Sequence, residues 1–184
     1  MHDRVGIGSK VNSMSEVRIA SGEGQLGRMI VGRLLPGTDL MEGLNKICDQ
    51  YNIQNGVIVE CIGSLRKSVF KFLIPNPKLK LGSGYGDPYT LDGPIEFLGG
   101  QGVITQGEDG KRKIHLHGLV NRTSVEEGKP KPDDVLGGDF GVPPGSNLVL
   151  ATMDVTIVEV KGLNITRKYD TETEIATRLD FEKA

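Results

Sequence analysis

"IEFLGGQGVITQGEDGKRKIHLHGLV", residues 95–120, decides the fold. Two runs rich in Ile, Val and Leu flank "GEDGK" (107–111), whose glycines and acidic residues are a hairpin signal. Strands joined by so short a connection are antiparallel, because a parallel pair needs a crossover of a dozen or more residues. Gly99, Gly100 and Gly102 inside the first run imply a bulge or a close backbone approach. In the second run side chains alternate between faces. His115 and His117 therefore point the same way, while Ile114, Leu116 and Leu119 are expected to face elsewhere.

Moving outward, "GRMIVGRLL" (27–35) alternates enough for a first strand, which Pro36-Gly37 ends. "TDLMEGLNKICDQYN" then places Leu40, Leu44, Ile47, Cys48 and Tyr51 at helical spacing, which predicts a helix over about 38–52. Thr38 or Asp39 serves as N-cap, with Glu42 in the first turn. Further strands are expected at 56–63, 66–74 and 147–160, followed by a short pair, "NITRKY" and "ATRLDF". The stretches "NPKLKLGSGYGDP" (76–88) and "NRTSVEEGKPKPDD" (121–134) read as an irregular loop and an exposed loop, and "KGLN" as a tight turn. One helix among mainly antiparallel strands makes the fold class α+β, a largely antiparallel sheet with one flanking helix.

The 184 residues fit one domain, expected over 26–184 behind a flexible N-terminal segment, 1–25. Apolar residues at 37% and charged residues at 25% describe a globular chain, and 5% aromatics with no Trp leave the core mostly aliphatic. The net charge of −2 supplies no global field for phosphates. No run of 18 apolar residues occurs, and the first residues lack a signal peptide's apolar stretch, which predicts a cytoplasmic protein with no membrane association. Cys48 and Cys61 sit in apolar settings without metal-type spacing and are expected to be buried, reduced thiols.

Two histidines one residue apart lie roughly 6.6 Å apart along a strand rising about 3.3 Å per residue. That spacing suits two imidazoles on one ion, and equally two surface histidines. Asp139, in "VLGGDFG", follows two glycines. If that segment returns beside the histidine strand, His115, His117 and Asp139 form a two-histidine, one-carboxylate set with open coordination positions; otherwise Asp139 is a turn aspartate. "GSLRKS" (63–68) reads as a hairpin turn with a solvated Arg66, or as backbone donors with Arg66 for an anion. Lys111, Arg112 and Lys113 read as a solvated turn. "GIGSK", "GSGYG" and "GGQG" lack the strand-to-helix context of nucleotide-binding glycines, so no nucleotide cofactor is expected.

From "GRMIVGRLLPGTDL" through "CIGSLRKSVFKFL", "GPIEFLGGQGVIT", "KIHLHGLV", "VLGGDFG" and "MDVTIVEVKG" to "RKYDTETEIATRLDF", residues 27–181 resemble the plant and prokaryote conserved (PPC) domain. The resemblance implies an α+β fold assembling as a homotrimer. It carries a DNA-binding label inherited from plant members that join the domain to AT-hooks. An AT-hook's Arg-Gly-Arg-Pro core occurs nowhere here, so neither charge nor motif supports DNA as a partner. The architecture is also similar to acetolactate decarboxylases, which hold zinc with an H-x-H strand and a third histidine. Carried over, His115 and His117 match the first two metal ligands, and Asp139 stands where "GGH" is usual. A carboxylate oxygen can replace imidazole on zinc, so a divalent metal, zinc first, is the expected cofactor. Two functions follow: a trimeric DNA-binding or regulatory module holding a metal or small ligand, or a metal-dependent lyase or hydrolase for a small carbonyl or carboxylate substrate. For the second, Glu60 and Arg66 are the candidate catalytic groups, and whether the chain is an enzyme is left open.

Overall fold

The computed structural model describes residues 17–184. The chain runs β1 (Gln25–Leu34), α1 (Leu40–Gln50), β2 (Gly56–Phe70), β3 (Leu73–Pro75), β4 (Ser83–Tyr85), β5 (Tyr89–Gly107) and β6 (Arg112–Glu126). It continues through β7 (Lys129–Pro132), β8 (Leu136–Asp139), β9 (Val149–Lys161), β10 (Leu163–Asp170) and β11 (Ile175–Lys183). The result is the expected α+β architecture. A nine-stranded sheet has the order β1-β9-β2-β5-β10-β11, with β6 on the far side of β5 and β7 and β8 paired to β6. Every pairing is antiparallel except the short contact of β10 with β5.

The core lies between the sheet and α1. Register sets Ile30, Ile157, Ile58, Gly102 and Leu116 side by side across β1, β9, β2, β5 and β6. Onto this row α1 lays Leu40, Leu44 and Cys48, all fully buried. An isolated helix of 11 residues is marginal in water, whereas burying each leucine is worth about 1.5–3 kcal/mol, so packing holds this helix. Its start is fixed by Asp39, which is buried. One carboxylate oxygen accepts from Met41 and Glu42 N–H at 3.1 Å, and the other accepts from Asn147 N–H at 3.0 Å. Asn147 in turn donates to the Val69 carbonyl and accepts from the Val69 N–H, acting as one more strand residue beside β2.

Several sequence expectations need correction. "GSLRKS" is no turn: β2 passes straight through it, with Ser64 opposite Glu96 and Leu65 opposite Ile95, and the register shift between Leu65 and Lys67 absorbs Arg66. Residues 121–134 are exposed as expected but form the β6–β7 hairpin. It turns at Glu127 and Gly128, both at positive φ, and its prolines lie on a strand paired on one side only. The loop at 76–88 contains β4, paired with β3. Arg112 is not solvated, since its side chain is 13% exposed and bonds Asp49 and the carbonyls of Asn45 and Ile53 below α1. The apolar run at 147–160 is central between β1 and β2, which explains its composition without any partner. Of the expected flexible segment, residues 1–16 lie outside the described residues; Arg18 forms a two-pronged bond to Glu172.

Candidate metal centre

The sheet curls beyond β6 until β8 meets the end of β2. Asp139 and Lys71 exchange backbone hydrogen bonds of 2.9 and 3.0 Å while β8 pairs with β6 on its other edge. Gly137 and Gly138 permit this threading: a Cβ on Gly137 would lie 2.6 Å from the Gly118 carbonyl oxygen, and one on Gly138 would strike that of Lys71. Behind them Phe140 stacks on Phe70 at 5.5 Å and meets Phe97 edge-on at 5.1 Å, locking the closure from inside.

Closure puts Asp139 directly opposite His117, on the sheet face away from α1. His115 follows two residues along the same face, its ring centroid 4.8 Å from that of His117. Leu119 shares this face as well, contrary to the sequence reading, because strand alternation runs unbroken through residues 115–119. The donor atoms of His115, His117 and Asp139 all lie within 4.8 Å of one another. A tetrahedral ion with bonds of about 2.0–2.1 Å needs donors about 3.4 Å apart, a closure that side-chain rotation can supply. Two imidazoles and a carboxylate suit a divalent cation chemically. Burial and the positive charge of Arg167 hold the His115 imidazolium less stable than usual, so the neutral, ligating form is favoured.

Three further groups complete the surroundings, and none was a sequence candidate. The Tyr85 hydroxyl is 3.1 Å from His117 Nε2, and burial raises its pKa. Lys71 Nζ lies 3.4 Å from Asp139 Oδ2, while Asp139 Oδ1 accepts from Gly141 N–H at 2.7 Å. Arg167 lines the same cavity of about 650 Å³ as His115, Asp139 and Tyr85. Only the arginine had a signal, as the first residue of "RKYDTETEIATRLDF" in the family resemblance; Lys71 and Tyr85 arrive from β2's end and from β4, where nothing local marks them. Glu60 accepts a hydrogen bond from Thr156, and Arg66 N–H bonds Leu148; neither lines this cavity. Both cysteines are buried and free, and burial pushes the Cys61 thiol up to about 12, which suits no nucleophile.

A twisted antiparallel sheet that closes a half-buried and an exposed histidine against a carboxylate defines an α+β domain with a candidate metal centre, and comparison supplies its family. The model of the Plants and Prokaryotes Conserved (PCC) domain matches residues 21–129, and the chain belongs to that family. The match includes His115 and His117 and stops short of Asp139. A metal-containing protein from Archaeoglobus fulgidus has the same fold, with TM-score 0.68 and 22% identity over 88% of this chain and 100% of that one. A plant- and prokaryote-conserved protein from Pyrococcus horikoshii gives 0.65 and 22% over 87% and 97%. A protein from Bacteroides thetaiotaomicron, described as a candidate DNA-binding protein, gives 0.62 and 21% over 87% and 99%. No curated protein matches the chain. Among the described residues no helix is long and apolar enough to cross a membrane.

Proposed function

We propose that this PCC-domain protein works as a homotrimeric module, with residues 26–184 as its unit, whose functional centre is a divalent cation, zinc first, held by His115, His117 and Asp139. The observation that carries the reading is the convergence of three donors of suitable chemistry within 4.8 Å, from two strands in fixed register. The metal-containing relative from Archaeoglobus fulgidus adds support. The cation would supply Lewis-acid charge to a small carbonyl or carboxylate ligand in the adjoining cavity. A second reading, a metal-dependent lyase or hydrolase, is favoured by the Tyr85 hydroxyl beside His117, a proton carrier within reach of such a ligand. DNA association draws on relatives described in that way, but the net charge of −2 gives no global field toward phosphates, and Arg28, Arg112, Arg122 and Arg178 are each paired with a carboxylate.

Zinc calorimetry on metal-stripped protein tests the centre. Unmodified protein is expected to bind at pH 7, and His117→Ala to abolish binding with the fold intact. Asp139→His is expected to retain it. Because protons compete for imidazole, affinity should weaken in acid, and at His115 only below the ordinary imidazole range, since burial and Arg167 lower its pKa. Unchanged binding in His117→Ala would return the two histidines to ordinary surface residues.

A further inference from the structure

Arg167 is held on β10 where that strand runs parallel to the end of β5, opposite Gly107. One terminal nitrogen donates to the Ala176 carbonyl at 3.3 Å, but Nε is buried and has no partner, and Arg167 forms no ion pair among the described residues. A buried donor without an acceptor is costly, and more so when the group is charged. The charged groups lining the cavity are Arg112, Lys113, Arg167 and Asp139. Asp49 pairs with Arg112, Asp109 with Lys113 and Lys71 with Asp139, which leaves the charge of Arg167 unbalanced before any cation is added. Leu73, Leu81 and Ile175 form an apolar rim on the same cavity.

We propose that Arg167 is the anchor of a small organic carboxylate, taken up with its anionic end on the guanidinium fork and its hydrocarbon body against Leu73, Leu81 and Ile175. The planar fork matches a carboxylate with two parallel N–H···O bonds and satisfies Nε in doing so. A phosphate would find the same positive charge, but the apolar rim favours a ligand with a hydrocarbon body. Seated in this way, the ligand points its remaining groups toward His115, Asp139 and the Tyr85 hydroxyl. The inference rests on the small-ligand reading of this site and names the ligand's class, yet Arg167 needs no metal to act.

The test uses butyrate, which carries a carboxylate and a short apolar body and chelates metals poorly, with inorganic phosphate as the second arm. The Nε–H resonance of Arg167 is followed by nitrogen-15 NMR in metal-stripped protein. Butyrate is expected to move that resonance saturably, phosphate to move it less at equal concentration, and Arg167→Gln to weaken butyrate binding by about tenfold or more. An unmoved resonance, tighter binding of phosphate, or unaltered butyrate binding in Arg167→Gln would overturn the proposal. The resonance is read in unmodified protein, so the answer stands even if the variant misfolds. Parallel zinc calorimetry separates the two readings: loss of zinc binding alone sinks the metal centre, and loss of butyrate binding alone sinks the anchor.

Discussion

Gly102 sits in the core row directly across from Leu116, midway between the two histidines of the neighbouring strand. A Cβ there would strike the His115 carbonyl oxygen and lie 3.1 Å from Leu116 Cα, and backbone cannot swing aside as a side chain can. Gly102→Ala should therefore lower stability by about 1–3 kcal/mol and displace His115, weakening zinc binding with it. Gly99→Ala, where a Cβ meets nothing within 4 Å, should change neither. Thermal unfolding with zinc calorimetry checks the pair; equal stability of the two variants would refute the close-approach argument. The glycine cluster was legible in sequence as a bulge or a close approach, and both occur: the register shifts between Phe97 and Gly99, and the approach is at Gly102. Asp139 was legible only conditionally, because its value depends on where β8 returns. Lys71 and Tyr85 could not be found, since each becomes part of the site through closure of the sheet alone.

Among elements, the pairing of β1 with β9 carries a titratable clasp. Arg28 donates to both Glu159 carboxylate oxygens, from Nε at 2.8 Å and Nη2 at 2.9 Å. This bond to Arg28 holds the Glu159 carboxyl down to about 2, from an ordinary 4.5. A depressed carboxylate stabilises the fold fully above its unfolded pKa, and that contribution is lost as pH falls from 4.5 toward 2. Glu159→Gln should thus be less stable than the parent at neutral pH, with the gap closing across this acid window. Urea unfolding at a series of pH values measures it, and a constant gap would contradict the assignment. Elements with purely local signals were legible: the helix through its apolar spacing and Asp39 cap, and the 107–111 hairpin through its glycines. β2 was split because Gly63-Ser64 resembles a turn, when pairing on both edges keeps it extended. The β6–β7 hairpin was missed because its prolines argue against a strand, and only the one-sided pairing of β7 makes them tolerable.

At the scale of the molecule, the sheet face away from α1 carries uncovered apolar side chains among polar ones such as Arg33, Glu60 and Asp154. Val31, Ile62, Leu98, Leu119 and Leu150 are all exposed there, Val31 at 72%. The homotrimer proposed above would bury this face, and His117 lies on it, so assembly and site are neighbours. Sedimentation equilibrium at micromolar concentration should give three times the 19.9 kDa chain mass. A monomer would leave these exposed apolar side chains unexplained and detach the site from any subunit boundary. The class of the fold could be read from the antiparallel hairpin at 95–120 because handedness and connection length leave few alternatives. The curl that brings β8 to Lys71 is a property of the whole sheet and has no counterpart in any short stretch.

The central claim is that His115, His117 and Asp139 hold a cation, and elemental analysis of the purified protein tests it most directly. One divalent metal per chain, with zinc foremost, lost in His117→Ala, is the predicted result. A parent protein that carries no metal as purified, and takes up none when dialysed against zinc at neutral pH, would contradict it.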